Sequence, residues 1–78
     1  MILEFIGKKI KKIRKSKGIS QAKLACIANV DRSYIAELEN GKKNITILYL
    51  DKILYSLNIT WEDFFKSENV DYNQQKMI

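Results

Sequence analysis

Apolar residues recur along this chain at helical rather than strand spacing. Ile6, Ile10 and Ile13 fall at i, i+4 and i+7, with Lys8, Lys9, Lys11, Lys12, Arg14 and Lys15 around them. That pattern predicts a first helix over residues 3–17, stopped at Gly18, a residue suited to a left-handed C-terminal cap. Ser20 can then N-cap a second helix, Gln21–Ala28, with Leu24 and Ala25 turned inward and Ile27 a further inward candidate. Asn29, Val30 and Asp31 interrupt it: Asn tolerates the left-handed region, and Asp is a strong N-cap for a new helix. This third helix, over 32–40, offers Ile35 and Leu38 as its buried side and ends at Gly41. Thr46 caps a fourth over 47–57, with Leu50, Ile53, Leu54 and Leu57 as core and Asn58 as terminator. Thr60 and Asp63 have the spacing of a capping box opening a short fifth helix that runs to 65 or 66. Residues 67–78 show no clear period and are expected as a tail or a brief extension of helix five. The expectation is one all-α domain over 1–66, a compact five-helix arrangement without linker or internal repeat.

Composition narrows the chemistry. The chain has 78 residues, no histidine and a single cysteine. A chain of this length buries only about 60–65% of its unfolded surface, so it needs a well-made core or a partner subunit. Without histidine, the commonest general base and metal ligand is missing, so catalysis ranks last and no cofactor or metal is expected. Cys26 cannot form an internal disulfide and, lacking an activating imidazole, reads as a small buried or half-buried hydrophobe. No apolar run reaches membrane-spanning length, and the N-terminal segment lacks the order of a secretory signal, so a cytoplasmic protein without membrane association is expected.

Charge is one-sided. The net charge is +5, yet residues 1–43 carry +7 and residues 44–78 carry −2. A local excess of this kind attracts a polyanion, nucleic acid or an anionic surface.

The spacing in the basic half selects among these. Two short helices joined by three residues carry small Ala25 where helices can cross closely and Asn29 where the turn needs positive φ. Val30, Ile35 and Leu38 can lock the second helix onto the first. This is the helix-turn-helix pattern, whose second helix enters the DNA major groove with its N-terminal residues at base edges.

The stretch GISQAKLACIANVDRSYIAELENGKKNIT resembles the lambda-repressor/Cro-like (xenobiotic-response-element) bacterial regulators, through Ser20-Gln21, Leu24-Ala25, Tyr34-Ile35, Leu38-Glu39 and the run after Thr46. The similarity extends over about residues 6 to 66. Within that family, DRSYIAELENGKKNIT followed by WEDFF is most similar to the controller proteins of restriction–modification systems, which are short dimeric regulators. Asn29 stands where the family often has Gly, and Ile45 where many members have Pro.

Each position has its expected role. Arg32 and Ser33 lead the recognition helix; Arg can read guanine with two hydrogen bonds or clamp a phosphate, and Ser is permissive. Ala36 can meet a thymine methyl and Glu37 can accept from cytosine N4 or orient arginines. Gln21 opens helix two, where free N–H groups suit a phosphate, and the resemblance implies that its side chain also touches the DNA backbone. Tyr34 is a backbone candidate that can equally pack beside helix two. Lys42, Lys43 and Asn44 lie past the recognition helix, placed for phosphates, and Lys17 is a further candidate. Glu39 reads as structural, paired near the lysines of helix one. Leu57, Ile59, Trp61, Phe64 and Phe65, with Tyr49 and Tyr55 at the rim, form an aromatic-rich cluster expected in part as the dimer interface, with monomer core as the alternative.

The resulting expectation is a sequence-specific transcriptional regulator, not an enzyme, acting as a homodimer on a near-palindromic operator, with recognition helices about 34 Å apart. RNA polymerase is the further partner, blocked or recruited, with Glu37, Glu39, Asp51, Glu62 and Asp63 as candidates for an activating patch. The alternative is an antitoxin-type protein-interaction module with secondary DNA binding. A membrane-surface peptide built on the lysine-rich first helix comes third, ahead only of catalysis.

Overall fold

The computed structural model describes residues 1–66; the expected tail, 67–78, lies outside the described residues. Five helices occur in order: α1 (Ile2–Ser16), α2 (Gln21–Ala28), α3 (Arg32–Glu39), α4 (Ile47–Ser56) and α5 (Trp61–Lys66). Among the described residues there is no strand.

Four of these helices end in one way. Gly18, Asn29, Gly41 and Asn58 all take positive φ, at 70°, 59°, 73° and 59°. Each donates its N–H three residues back, and the next residue donates five back: Ile19 to Arg14, Val30 to Ala25, Lys42 to Glu37 and Ile59 to Leu54. These paired bonds satisfy carbonyls that the helix leaves open, and an apolar residue just beyond commonly accompanies them. Ile19, Val30 and Ile59 fill that role, each packed against the core. Side-chain caps open the other ends: the Ser20 hydroxyl accepts from Lys23 N–H, Thr46 from Tyr49 N–H and Thr60 from Asp63 N–H. Asp31 occupies the N-cap position of α3 without a side-chain cap hydrogen bond.

Periodicity becomes packing in a single cluster. Ile6 and Ile10 of α1, Leu24, Ala25 and Ala28 of α2, Ile35 and Leu38 of α3, Leu50, Ile53 and Leu54 of α4, then Leu57 and Phe64, are all buried together. Helix α3 packs on α1 and α2, while α4 packs on α2 and α5. The α1–α3 crossing is close enough that a Cβ on Gly7 would run into the Leu38 carbonyl oxygen.

Three expectations about burial are corrected. Ile27 is 48% exposed, and the inward edge of α2 is closed instead by Ala28, four residues after Leu24. Cys26, its neighbour in sequence, is exposed as well rather than buried or half-buried. In the aromatic cluster, Leu57 and Phe64 are 1% and 0% exposed within the single chain. They are monomer core and have no surface left to give a dimer interface. The small domain buries them because α5 folds back on α4, held by Trp61 Nε1 donating to Asp51 Oδ1 at 2.7 Å.

Candidate nucleic-acid interface

Helix α3 is two-sided. Ile35, Leu38 and Glu39 face the interior, while Arg32, Ser33 and Glu37 are exposed and Ala36 is half-buried beside them. At 3.6 residues per turn, positions 32, 33, 36 and 37 form one outward row. A row of this kind is what a groove-inserted helix needs: its base-facing side chains stand outward while the opposite face is bolted to a core.

The bolt is polar as well as apolar. Arg14 of α1 donates Nε to Glu39 Oε2 at 2.6 Å and Nη2 to Glu39 Oε1 at 3.0 Å. Its remaining nitrogen, Nη1, donates to the Ile19 carbonyl at 2.7 Å. Glu39 Oε1 also accepts from Gln21 Nε2 at 3.0 Å. The side chains of Arg14 and Glu39 are only 8% and 1% exposed. Hydrogen bonding to Glu39 raises the Arg14 pKa further above its ordinary value; burial opposes the shift and the carboxylate charge adds to it. The Glu39 carboxylate at the end of α3 thus ties α1 to the first residue of α2, and through Arg14 the turn before α2 is held as well. The expectation for Glu39 is refined: it is structural, but its partner is Arg14 rather than a lysine. Arg14 was the residue missed by sequence reasoning, although it sits four residues past Ile10 on the buried side of α1.

Gln21 occupies the first position of α2, half-buried, its amide already turned toward Glu39. Lys42 and Asn44 are exposed in the loop after α3, and Lys17 is exposed at the end of α1.

Lys43 is different. Its Nζ lies 3.5 Å from Glu37 Oε1 and 5.6 Å from the centroid of the Tyr34 ring. Tyr34 is half-buried and meets Tyr49 of α4 edge-on, with ring centroids 5.3 Å apart at 68°. Burial first, and the neighbouring Tyr49 second, push the Tyr34 hydroxyl pKa above its ordinary value. Tyr49 in turn carries Lys52 Nζ at 5.0 Å from its centroid. The structure therefore brings Glu37, Lys43, Tyr34 and Tyr49 into one connected group beside the outward row.

Along α4, Ile47, Leu48 and Tyr55 are 75%, 76% and 86% exposed. Beyond its C-terminus Ile59 and Trp61 are half-buried, and Phe65 stacks on Trp61 at 5.9 Å. Asp51, Leu54, Tyr55, Asn58, Ile59 and Trp61 line an open groove there. Glu39, being buried, is removed from any acidic surface patch. No group of three or more candidate metal ligands occurs among the described residues, and no helix among them is long and apolar enough to cross a membrane.

Known proteins resemble this chain in both sequence and fold. A family model described as helix-turn-helix matches residues 10–64. Control protein C.MunI of a Mycoplasma species is 42% identical over 60 residues, spanning 76% of this chain and 81% of that protein. The crystal structure of the restriction–modification controller protein C.AhdI from Aeromonas hydrophila superposes with a TM-score of 0.77 at 32% identity, over 81% of this chain and 96% of that one. The controller protein C.Esp1396I, solved as a tetramer in complex with its natural 35 base-pair operator, gives a TM-score of 0.81 at 38% identity, over 85% and 87% of the two chains.

Proposed function

This chain belongs to the helix-turn-helix family, and on that premise we propose that it is a sequence-specific DNA-binding transcriptional regulator of the restriction–modification controller kind. The observation that carries the reading is the outward row Arg32, Ser33, Ala36 and Glu37 on a helix whose other face is locked by Ile35, Leu38 and Glu39. Likeness in sequence and fold to C.MunI, C.AhdI and the operator-bound C.Esp1396I supports it.

In this reading Arg32 and Ser33 meet base edges first, with Ala36 and Glu37 one turn further along the groove. Gln21, at the start of α2, meets the phosphate backbone, helped by the free N–H groups and the positive end of its helix. Glu39 holds the Gln21 amide nitrogen and leaves its carbonyl and the backbone to orient outward. Lys17, Tyr34, Lys42, Lys43 and Asn44 flank the backbone, and the +7 of residues 1–43 provides the sequence-independent attraction.

A single domain offers few base contacts, and two-fold pairing is the economical remedy. We assign the pairing face to Tyr49, Ile59, Trp61 and Phe65, next to exposed Tyr55. Leu57 and Phe64 support it from beneath. A homodimer on a near-palindromic operator in the cytoplasm then acts by occupancy, excluding RNA polymerase where the site overlaps a promoter or recruiting it from upstream. The activity is binding rather than catalysis.

The test is a fluorescence-anisotropy titration of the DNA upstream of the chain's own gene against a shuffled duplex, at two salt concentrations. Arg32→Ala should cost about 1–3 kcal/mol on the upstream duplex and relax sequence preference. Lys42→Ala should weaken both duplexes alike and reduce the salt slope by about one. Equal wild-type affinity for the two duplexes overturns the proposal.

A further inference from the structure

We propose that Glu37 and Lys43 form a charge gate that penalises non-cognate DNA, so that Lys43 contributes a phosphate contact only when Glu37 accepts a hydrogen bond from a base amine. The inference rests on the DNA-binding reading above and assigns two of its residues a joint role.

Four observations lead to it. Glu37 is the carboxylate of the outward row, in the part of α3 that comes after Arg32 and Ser33. In the groove, a carboxylate there faces the negative field of the phosphates, and only an exocyclic base amine, above all cytosine N4, compensates it by donating a hydrogen bond. In the free protein the compensation comes from Lys43 Nζ at 3.5 Å. The loop that delivers Lys43 is fixed to the same residue, because Lys42 N–H donates to the Glu37 carbonyl at 2.9 Å. Lys43 Nζ also lies over the Tyr34 ring, itself packed on Tyr49, so its ammonium rests against a ring face as well as a carboxylate.

The pair is an exposed one, with side chains 43% and 55% accessible. Exposed ion pairs contribute little to stability and break readily. Lys43 therefore exchanges Glu37 for a phosphate easily, provided that the carboxylate finds another partner. Where the DNA presents an amine, Glu37 takes it and Lys43 moves to the backbone. Where it does not, leaving Glu37 bare among phosphates is unfavourable, and Lys43 stays in place. One residue supplies the discrimination and the other converts it into affinity.

Counterion release makes this measurable. Each phosphate neutralised on duplex DNA adds roughly 0.9 to the magnitude of the slope of log K against log salt. A duplex selected by the wild-type protein from a random-sequence pool is compared with a shuffled duplex of equal composition. Wild type should show a slope steeper by roughly 0.9 on the selected duplex than on the shuffled one. Glu37→Gln removes the charge that retains Lys43, so the two slopes converge at the steeper value. Affinity for the shuffled duplex should rise roughly fivefold at 0.15 M salt, the factor that one released counterion gives relative to 1 M. Lys43→Ala should make the slopes converge at the shallower value, and the double variant should match Lys43→Ala in slope. Glu37 is exposed and outside the core, and thermal melts confirm that each variant folds. Parallel slopes for wild type and Glu37→Gln, with selective binding retained, overturn the gate while leaving the regulator intact. Failure of wild type to enrich any duplex overturns both.

Discussion

Glu39→Ala isolates the buried ion pair that joins α1 to α3. The substitution leaves the Arg14 guanidinium 8% exposed, still hydrogen-bonded to the Ile19 carbonyl but stripped of both carboxylate contacts, at 2.6 and 3.0 Å. Removing one partner of a buried pair costs about 3–5 kcal/mol, because the remaining charge has lost its compensation. The lower end, about 3 kcal/mol, fits here, since Arg14 lies near the surface and keeps one acceptor. Gln21 adds little, being half-buried and open to water. A domain of this size has a total stability of about 4–12 kcal/mol, so the loss takes a large share of it. At about 4–8 °C per kcal/mol, the melting temperature should fall by about 12–24 °C. Urea unfolding followed by circular dichroism gives the free energy, and a thermal scan gives the shift. The control is Arg14→Met with Glu39→Leu, which leaves no buried charge and should recover most of the loss. A cost below about 1 kcal/mol for Glu39→Ala would place the pair among weak surface ion pairs. A double variant as unstable as the single one would show that the damage comes from packing rather than from an orphaned charge.

Two further outcomes are expected from the same structure. Gly7→Ala replaces glycine with the best helix former, a gain of about 1 kcal/mol by propensity, yet its Cβ meets the Leu38 carbonyl. Net destabilisation of about 1–2 kcal/mol in urea is expected from overpacking, and a net gain would show that α1 and α3 can separate freely. The raised Tyr34 pKa means that the folded state holds the phenolic proton more tightly than the unfolded chain. Its contribution is therefore full below about pH 10, the unfolded value, and is lost as pH rises through the folded one. Urea midpoints measured from about pH 8 to about pH 11 should fall less steeply for Tyr34→Phe than for wild type, and identical profiles would exclude the tyrosine as a cause.

Local chemistry was legible in the residues themselves. Gly18, Asn29, Gly41 and Asn58 ended helices, and Ser20, Thr46 and Thr60 began them, because the interactions involved span only three to five residues. The span Gln21–Ala28 and its turn to Arg32 came from the same signals. So did the apolar faces of α1, α3 and α4, since a period of 3.6 marks one side of a helix whatever it packs against. The outward row of α3 was therefore implied by Ile35 and Leu38 before any neighbour was known.

Which neighbour lies across each face was another matter. The Arg14–Glu39 pair closes across 25 positions, and no local pattern distinguishes Arg14 from the lysines around it. Leu57 and Phe64 could equally have faced a second subunit until α5 folded back over α4 and took them into the core. Cys26 and Ile27 carry apolar character but sit on an exposed side of α2. Lys43 was a loop cation by sequence and became the partner of Glu37 and Tyr34 only once the loop turned back along α3. Sequence by itself determined where helices start, stop and turn their apolar sides, because those terms are short-range. The tertiary structure alone decided which charges are neutralised and which apolar surface stays open, because burial and pairing depend on what the folded chain brings together from afar.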